Sequence, residues 1–372
     1  MVRILIACSF AMAIALAVFF GVFENHTISV QRGNRGTGHI QLYTPNSVPA
    51  SVALNSIPVA DPIDPPDPDL PTARQTYKNV QVLDDLSVLE LPRLMAALST
   101  WIAPKEGCNY CHNPANLASD EKYTKRVARS MLLMTRRINT QWKAHVVETG
   151  VTCWTCHRGE AVPSGSWYTR ADLGENTSMI GNKDNENTPG IAYVGNSALP
   201  FDPLTRYLID DNDIRVQGSV PLAGTNPYPM NGVQKSEMTY SMMIYISKSL
   251  GVNCTYCHFT RAFGSWPDST PQRATAWYGV RMVRDLNKSF LLPVAGMVPS
   301  YRLGSHGDGP KVGCATCHKG TYKPLFGNSM KKDYPELWRA GGPKIDTGYV
   351  SPPNVAVKNP VVSPEKLMSG QY

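Results

Sequence analysis

Nine cysteines are present, and eight of them fall into four copies of one pattern, Cys-x-x-Cys followed at once by His. The copies are Cys108, Cys111 and His112; Cys153, Cys156 and His157; Cys254, Cys257 and His258; and Cys314, Cys317 and His318. Two thiols two residues apart suit thioether bonds to the vinyl groups of a haem, and the adjacent imidazole then ligates the iron from the proximal side. Zinc-binding pairs, redox dithiols and structural disulfides also use Cys-x-x-Cys, but none requires a His directly after the second Cys. The fourfold repetition therefore points to four covalently bound haems c, attached outside the bacterial cytoplasm. The ninth cysteine, Cys8, lies in an apolar run and reads as a small buried apolar residue.

The face of each haem opposite the proximal His decides its chemistry: an open position serves a small ligand, a filled one serves electron transfer. Residues 91–103 are predicted as an amphipathic helix stopped by Pro104, with Met95 13 residues before Cys108. Residues 237–250 are predicted as a helix ended by Gly251, with Met243 11 residues before Cys254. Ser99 follows Met95, and Ser247 follows Met243, by one helical turn. Farther along, Met134 to Asn139 matches Met282 to Asn287, which aligns Met131 with Gly279. Met131, 22 residues before Cys153, serves the second haem, whereas Gly279 offers the fourth none. His145 is the unassigned imidazole for that place. The chain reads as a duplicated unit of two haems, 1-2 and 3-4, with three irons His/Met ligated and one bis-His. The bland alternative for any one Met is a flexible core filler, and Met134, Met242 and Met282 differ in helical phase from the three candidates.

These ligands need elements to hold them. A 42% hydrophobic content with 30 Pro, 29 Gly and only 17% charged residues predicts a mainly α, loop-rich multihaem cytochrome, in which macrocycles nucleate small local cores. Residues 4–23 carry no charge and are long enough as a helix to span a bilayer. Arg3 before them and Glu24 after them orient the amino terminus toward the cytoplasm and export the rest. Bulky Phe19, Phe20, Val22 and Phe23 fit a cleaved signal peptide badly, so a retained anchor is expected. The expected organisation is an anchor over 1–23, an extended Pro-rich segment over 24–76, a haem 1/haem 2 unit over 77–165, a connecting segment over 166–235, a haem 3/haem 4 unit over 236–323 and an extended tail over 324–372. The formal charge of +7 is scattered without a run of five basic residues, which disfavours nucleic acid as a partner.

Over roughly residues 77–323, the four motifs, their uneven spacing, and the Cys-His-Arg-Gly and Cys-His-Lys-Gly endings at His157 and His318 resemble the tetrahaem cytochrome c subunit of the purple-bacterial photosynthetic reaction centre. The resemblance implies the same ligand set, Met95, Met131 and Met243 for haems 1, 2 and 3 and His145 for haem 4. It also implies a row of haems in the order 3, 4, 2, 1 away from the membrane, with haem 3 nearest the bacteriochlorophyll special pair of the core subunits. A soluble c-type cytochrome or high-potential iron–sulfur protein would donate at the far end, and light-harvesting antenna would surround the complex. The implied location is the inner membrane, single-pass, with the haem domain in the periplasm. Arg273 matches the family's Arg close to haem 3. Two features depart from the pattern. Many members carry a lipid on an amino-terminal Cys instead of a helix. His306, eight residues before Cys314 as His145 is before Cys153, competes with Met131 for haem 2. Other functions are a multihaem reductase, which needs an iron without a distal ligand, and a membrane-anchored quinol-oxidising cytochrome. Eight candidates for eight axial positions, with no phosphate loop or hydrolytic triad, favour an electron carrier over an enzyme.

Overall fold

The computed structural model describes residues 2–23, 27–32, 39–63, 65, 67–169, 199, 202–214 and 232–340. Among them helices and turns predominate, and the one sheet is a two-stranded antiparallel ribbon. This is the mainly helical, loop-rich architecture expected from the Pro and Gly content. Helix α1 (Val2–Phe23) is continuous, and Ile4, Phe10, Ile14 and Leu16 on it are exposed. Among the described residues no helix is long and apolar enough to cross a membrane.

Strand β1 (Ile28–Arg32) pairs with β2 (His39–Tyr43), Ile28 opposite Tyr43, and helix α2 (Ser47–Leu54) follows. Pro49 sits in its first turn, where a missing N–H leaves no bond unmade. The extended segment expected throughout 24–76 is interrupted here, and Val30 and Val48 are buried, apolar anchors that the polar average of the stretch conceals. Residues 56–63 do lack regular structure, and Arg93 grips them by donating to the carbonyls of Asp61 at 2.8 Å and Pro62 at 3.0 Å.

Helix α3 (Glu90–Ile102) lies within a residue of its expected bounds. Its start is a capping box: the Glu90 carboxylate accepts from Ser87 N at 2.8 Å, and Ser87 Oγ accepts from Glu90 N at 3.2 Å. Leu91, Leu94 and Trp101 form its buried face. Helix α4 (Tyr123–Gln141) carries Met131, and the short helix α5 (Cys153–His157) is the second motif itself. Helix α6 (Gly232–Leu250) begins five residues earlier than the expected 237 and stops as expected at Gly251. Gly251 has φ +62°, and a Cβ there would collide with the Gly320 carbonyl oxygen, so only glycine lets this helix end against the fourth motif. Helix α7 (Pro271–Leu286) follows with proline at its first position, and α8 (Cys314–His318) is the fourth motif.

Two apolar cores result. One gathers Ile138, Trp142, Leu204, Tyr207, Met242 and Leu286, the other Leu86, Leu94, Trp101, Leu325, Tyr334 and Leu337. The second corrects the expected extended tail from 324 onward. Leu325, Phe326, Met330, Tyr334 and Leu337 are buried through two 3-10 turns, Pro324–Gly327 and Pro335–Trp338. An apolar residue every three to five positions drives that packing, and the prolines only shape the turns. Residues 341–372 lie outside the described residues. Most of the connecting segment, 170–198 and 215–231, also lies outside them. Its described part includes a helix, Pro203–Leu208, where loops were expected; the Asp202 carboxylate accepts from Leu204 N at 3.1 Å and Thr205 N at 3.0 Å to start it.

Two buried asparagines connect these elements to the motifs. The Asn139 amide accepts from Val151 N at 2.7 Å and donates to the carbonyls of Val151 and Leu337, both at 2.9 Å. Asn287 does the same to Val312, accepting from its N at 2.9 Å and donating to its O at 3.0 Å. Val151 and Val312 each lie two residues before a motif, so each amide acts as a one-residue strand partner fixing the chain's entry into a Cys-x-x-Cys-His turn. Between them the Arg137 guanidinium donates to Asp285 at 2.7 Å, with Arg137 only 3% exposed. Asn139→Ala would leave two carbonyls and one N–H unpaired in the interior, and is expected to cost about 2–4 kcal/mol. Urea unfolding of the loaded protein measures it, and an unchanged midpoint would refute the clamp.

Candidate haem-binding sites

The four motifs adopt two local geometries. In the first and third, the first cysteine lies on a 3-10 turn (Gly107–Tyr110 and Cys254–Tyr256) and the second directly follows it. His112 N bonds Cys108 O at 3.0 Å, and His258 N bonds Cys254 O at 2.9 Å. His112 Nδ1 lies 2.9 Å from Leu117 O and His258 Nδ1 3.0 Å from Phe263 O, five residues on in each case. The Thr124 hydroxyl donates to Tyr110 O at 2.5 Å and that of Thr270 to Tyr256 O at 2.6 Å. Those threonines stand at the starts of α4 and α7, so each long helix is pinned to the motif before it.

In the second and fourth, the motif is a single helical turn. Thr155 Oγ1 accepts from Thr152 N at 3.0 Å, and Thr316 Oγ1 from Gly313 N at 2.9 Å. His157 Nδ1 meets Glu160 O at 2.7 Å and His318 Nδ1 meets Thr321 O at 2.9 Å, three residues on. Arg158 (φ 50°) and Lys319 (φ 48°) then turn left-handed, followed by Gly159 (φ 85°) and Gly320 (φ 80°). The glycine amides reach outward, Gly159 N to Trp101 O and Gly320 N to Ser249 O, both at 2.8 Å. Trp101 lies six residues after Met95 and Ser249 six after Met243, so the same bond docks motif 2 on α3 and motif 4 on α6.

Met95 on α3, Met131 on α4 and Met243 on α6 are all partly buried. Met242 and Met282, the neighbours of different phase, are sealed in the first core, and Met134 packs against it. The Ser99 hydroxyl donates to Met95 O at 2.9 Å and lies 3.7 Å from Cys108 Sγ, which brings the Met95 turn to the first motif. The Thr135 hydroxyl likewise donates to Met131 O at 2.9 Å.

The fourth site is the most explicit. The rings of His145 and His318 face one another with centroids 6.0 Å apart and planes at 62°. His145 Nδ1 lies 2.9 Å from Thr275 O, so its Nε2, like that of His318, is the free nitrogen. Two imidazoles on opposite faces of one metal stand about 6 Å apart, given metal–nitrogen bonds of about 2 Å and about 1.1 Å from each nitrogen to its ring centre. The spacing fits one iron. Gly279 supplies the room: a Cβ there would lie 2.6 Å from His145 Cε1. A glycine inside a helix costs about 1 kcal/mol relative to alanine, and here its missing side chain is filled by the imidazole. The aligned position on α4 holds Met131.

Desolvation prepares these groups. Burial, and then the nearby His145, pushes His318 down to about 4. Burial also lowers His145, His157 and His258, so these imidazoles are neutral at pH 7, the form that ligates a metal. Burial raises the thiols of Cys153, Cys257 and Cys314 to about 12, against the activated thiolate of a redox dithiol. Among the described residues no group of three His, Cys, Asp or Glu converges as a zinc site would require. Cys156 Sγ and Cys317 Sγ lie 2.8 Å apart, beyond disulfide length.

The packing order is linear. Helix α3 touches both the first motif's turn and α5; α5 touches α8; α8 touches α6, which leads into the third motif. His306 lies exposed in a turn of the 304–308 loop. The Arg273 guanidinium stacks 4.1 Å over Trp266, donates to Ser265 O at 2.7 Å, and its charge acts on Cys257 and His258. Sequence reasoning missed the carbonyl of Thr275, the docking glycines and the two asparagine clamps. The asparagines left a signal, a polar residue repeated at the end of both matched helical stretches, and the glycines left another in the Cys-His-Arg-Gly and Cys-His-Lys-Gly endings.

Comparison with known proteins places the family. Residues 24–338 match the family model described as photosynthetic reaction centre cytochrome C subunit. A photosynthetic reaction center cytochrome c subunit of Rubrivivax gelatinosus is 47% identical over 324 residues, 87% of each chain. One from Thermochromatium tepidum is 46% identical over 83% of this chain and 74% of its own, and one from Roseobacter denitrificans 40% identical over 84% and 85%. With its four Cys-x-x-Cys-His turns inside the matched region, the chain belongs to the photosynthetic reaction centre cytochrome c subunit family.

Proposed function

We propose that this electron-transfer subunit of the photosynthetic reaction centre relays electrons through four covalent haems c to the photo-oxidised bacteriochlorophyll special pair. The facing of His145 and His318 at 6.0 Å carries the reading, because two neutral imidazoles on one iron leave it no vacant position. The eight cysteines hold the vinyl groups, and His112, His157, His258 and His318 are the proximal ligands. Met95, Met131 and Met243 complete haems 1, 2 and 3, and His145 completes haem 4. Met131 is favoured over His306 for haem 2 by their surroundings: Met131 lies partly buried on α4, whereas His306 is exposed at a turn.

The linear packing of motif 1, α3, α5, α8 and α6 supports a row in the order 1, 2, 4, 3. Electrons would enter from a soluble c-type cytochrome or high-potential iron–sulfur protein at haem 1 and leave from haem 3 to the core, with antenna proteins around the complex. A Met ligand raises haem potential relative to a second His, so the bis-His haem is a lower step within the row. Matching bonds at Thr124 and Thr270, Gly159 and Gly320, and Asn139 and Asn287 support two duplicated haem-pair units, 77–165 and 236–323. The exposed apolar residues of α1 support attachment to the inner membrane, which would leave the haem domain in the periplasm.

A light pulse given to membranes without added donor should oxidise haem on a fast timescale. Haem reduction by quinol in the dark, with no light-driven oxidation, would instead favour a quinol-oxidising cytochrome. Met131→Leu should reduce the His/Met charge-transfer signals from three to two while His306→Ala leaves three; the reverse outcome gives haem 2 to His306. Gly279→Ala places a methyl against the His145 ring, and should cost haem 4 its low-spin bis-His spectrum and leave the other three haems unchanged. Optical absorption counts the charge-transfer signals of the first two variants, and electron paramagnetic resonance reads the haem 4 spectrum of the third.

A further inference from the structure

The second and fourth motifs meet where Cys156 Sγ and Cys317 Sγ lie 2.8 Å apart. Under the four-haem reading, on which the role inferred for this junction rests, both atoms become thioether sulfurs on two different haems in the loaded protein. Each of these motifs, and neither of the other two, is followed directly by a cation: Arg158 after His157 and Lys319 after His318, against Asn113 after His112 and Phe259 after His258. Both cations take the left-handed backbone conformation that turns the chain back at the end of its helix. Arg158 Nε then donates to the carbonyls of Trp154 at 3.0 Å and Thr155 at 3.3 Å, and a second nitrogen reaches Leu54 O and Asn55 Oδ1. Lys319 Nζ donates to Ser164 O at 2.9 Å and Ser164 Oγ at 2.6 Å.

Every one of these partners is neutral. Among the described residues neither cation forms an ion pair, and Arg158 Nη2 is buried without a partner. The acid whose field reaches this place is Glu160, an exposed residue. Each cation acts on both sulfurs and on the other cation. Two largely uncompensated positive charges thus flank the contact between two haem attachments, held by bonds to backbone and hydroxyl groups that do not neutralise them. A thioether has no proton to lose, so the sulfurs cannot offset these charges as thiolates would.

We infer that Arg158 and Lys319 are a shared pair of potential-setting residues at the junction of the second and fourth haems, each raising the midpoint potential of both. The physical cause is the charge on iron. Oxidation adds one positive charge, and a fixed cation in a poorly screened interior disfavours the oxidised form. The bis-His haem is the one that ligation drives low, and because the pair raises haems 2 and 4 together, it lifts that haem without widening its step from haem 2. The first and third motifs carry Asn113 and Phe259 at the equivalent place, and the cation near the third, Arg273, lies outside its motif and away from this junction.

The test is a redox titration of the membrane-bound complex that resolves each haem by its absorption band, in Arg158→Gln and Lys319→Gln. Both variants should lower the potentials of haems 2 and 4 and leave 1 and 3 in place. At a fixed potential the oxidised-to-reduced ratio should rise about three- to tenfold, tenfold being about 59 mV for a one-electron couple. Arg158→Lys and Lys319→Arg should restore the original values, which a merely structural role would not produce. Because each cation acts on both haems, Lys319→Gln still decides the matter if Arg158→Gln fails to load haem 2. Unmoved potentials in the glutamine variants, or an equal shift of all four haems, would overturn the inference. Fewer than four covalently attached haems in the unaltered protein, read by mass, would instead overturn the four-haem assignment.

Discussion

An imidazole that must hold iron through one nitrogen has to dispose of the proton on the other. The five candidate ligands His112, His157, His258, His318 and His145 share one solution, setting Nδ1 within about hydrogen-bond distance of a backbone carbonyl. That single bond fixes the tautomer, aims Nε2, and stiffens the ring. Much of the local structure serves to deliver the five carbonyls. The 3-10 motifs bring the carbonyl from five residues ahead, the helical motifs from three residues ahead through a left-handed residue and a glycine, and α7 offers Thr275 across to His145. Burial holds His145, His157, His258 and His318 in the neutral form near pH 7, which suits a ligand to an iron that changes charge.

The same demand explains why two modest cores suffice. A motif that is covalently tied, hydrogen-bonded at its histidine and clamped at its entrance is already ordered before side-chain packing contributes. The asparagines at 139 and 287 perform the clamping in the interior, where an apolar residue of similar size would fill the space but leave the entering strand's amide and carbonyl unpaired. Arg137 and Asp285 occupy aligned positions of the two matched stretches and meet each other. Replacing a buried ion pair with apolar residues is often neutral for stability, while breaking one is costly. Their value therefore lies in holding α4 and the end of α7 in one relative register, with Trp142 Nε1 and Ser289 Oγ also donating to the same carboxylate.

Covalent attachment makes the haem sites readable, because Cys-x-x-Cys-His is a local pattern whose meaning does not depend on the fold. The distal candidates are harder. Met95 and Met243 stand out by helical spacing, and the gap at Gly279 points to a ligand from elsewhere, but nothing in one dimension marks Gly279 as the recess for His145. That relation joins residues 134 positions apart and arises only when α7 crosses the turn at Lys143–Val146. The tail misleads for a related reason. Prolines at 324 and 335 suggest an extended strand, yet they open 3-10 turns that bring Leu325 and Leu337 inside. Composition records which residues are present, and burial depends on what lies opposite them.

The order of contacts among the motifs also suits a relay. Catalysis at a haem needs an open axial position and a cavity beside it that admits substrate. The two best-formed clefts among the described residues lie elsewhere: one is a pocket of about 20 Å³ between Val48, Leu250 and Phe326, and the other an open groove by Trp167 and Tyr301. Neither is lined by a candidate axial ligand. What the helices do provide is contiguity, since α3 joins motifs 1 and 2, and α6 joins motifs 3 and 4, through the same glycine-to-carbonyl bond, while α5 and α8 close the gap between the pairs. Electron transfer weakens steeply with distance, so motifs joined one to the next through shared helices matter more to such a molecule than the shape of any one pocket.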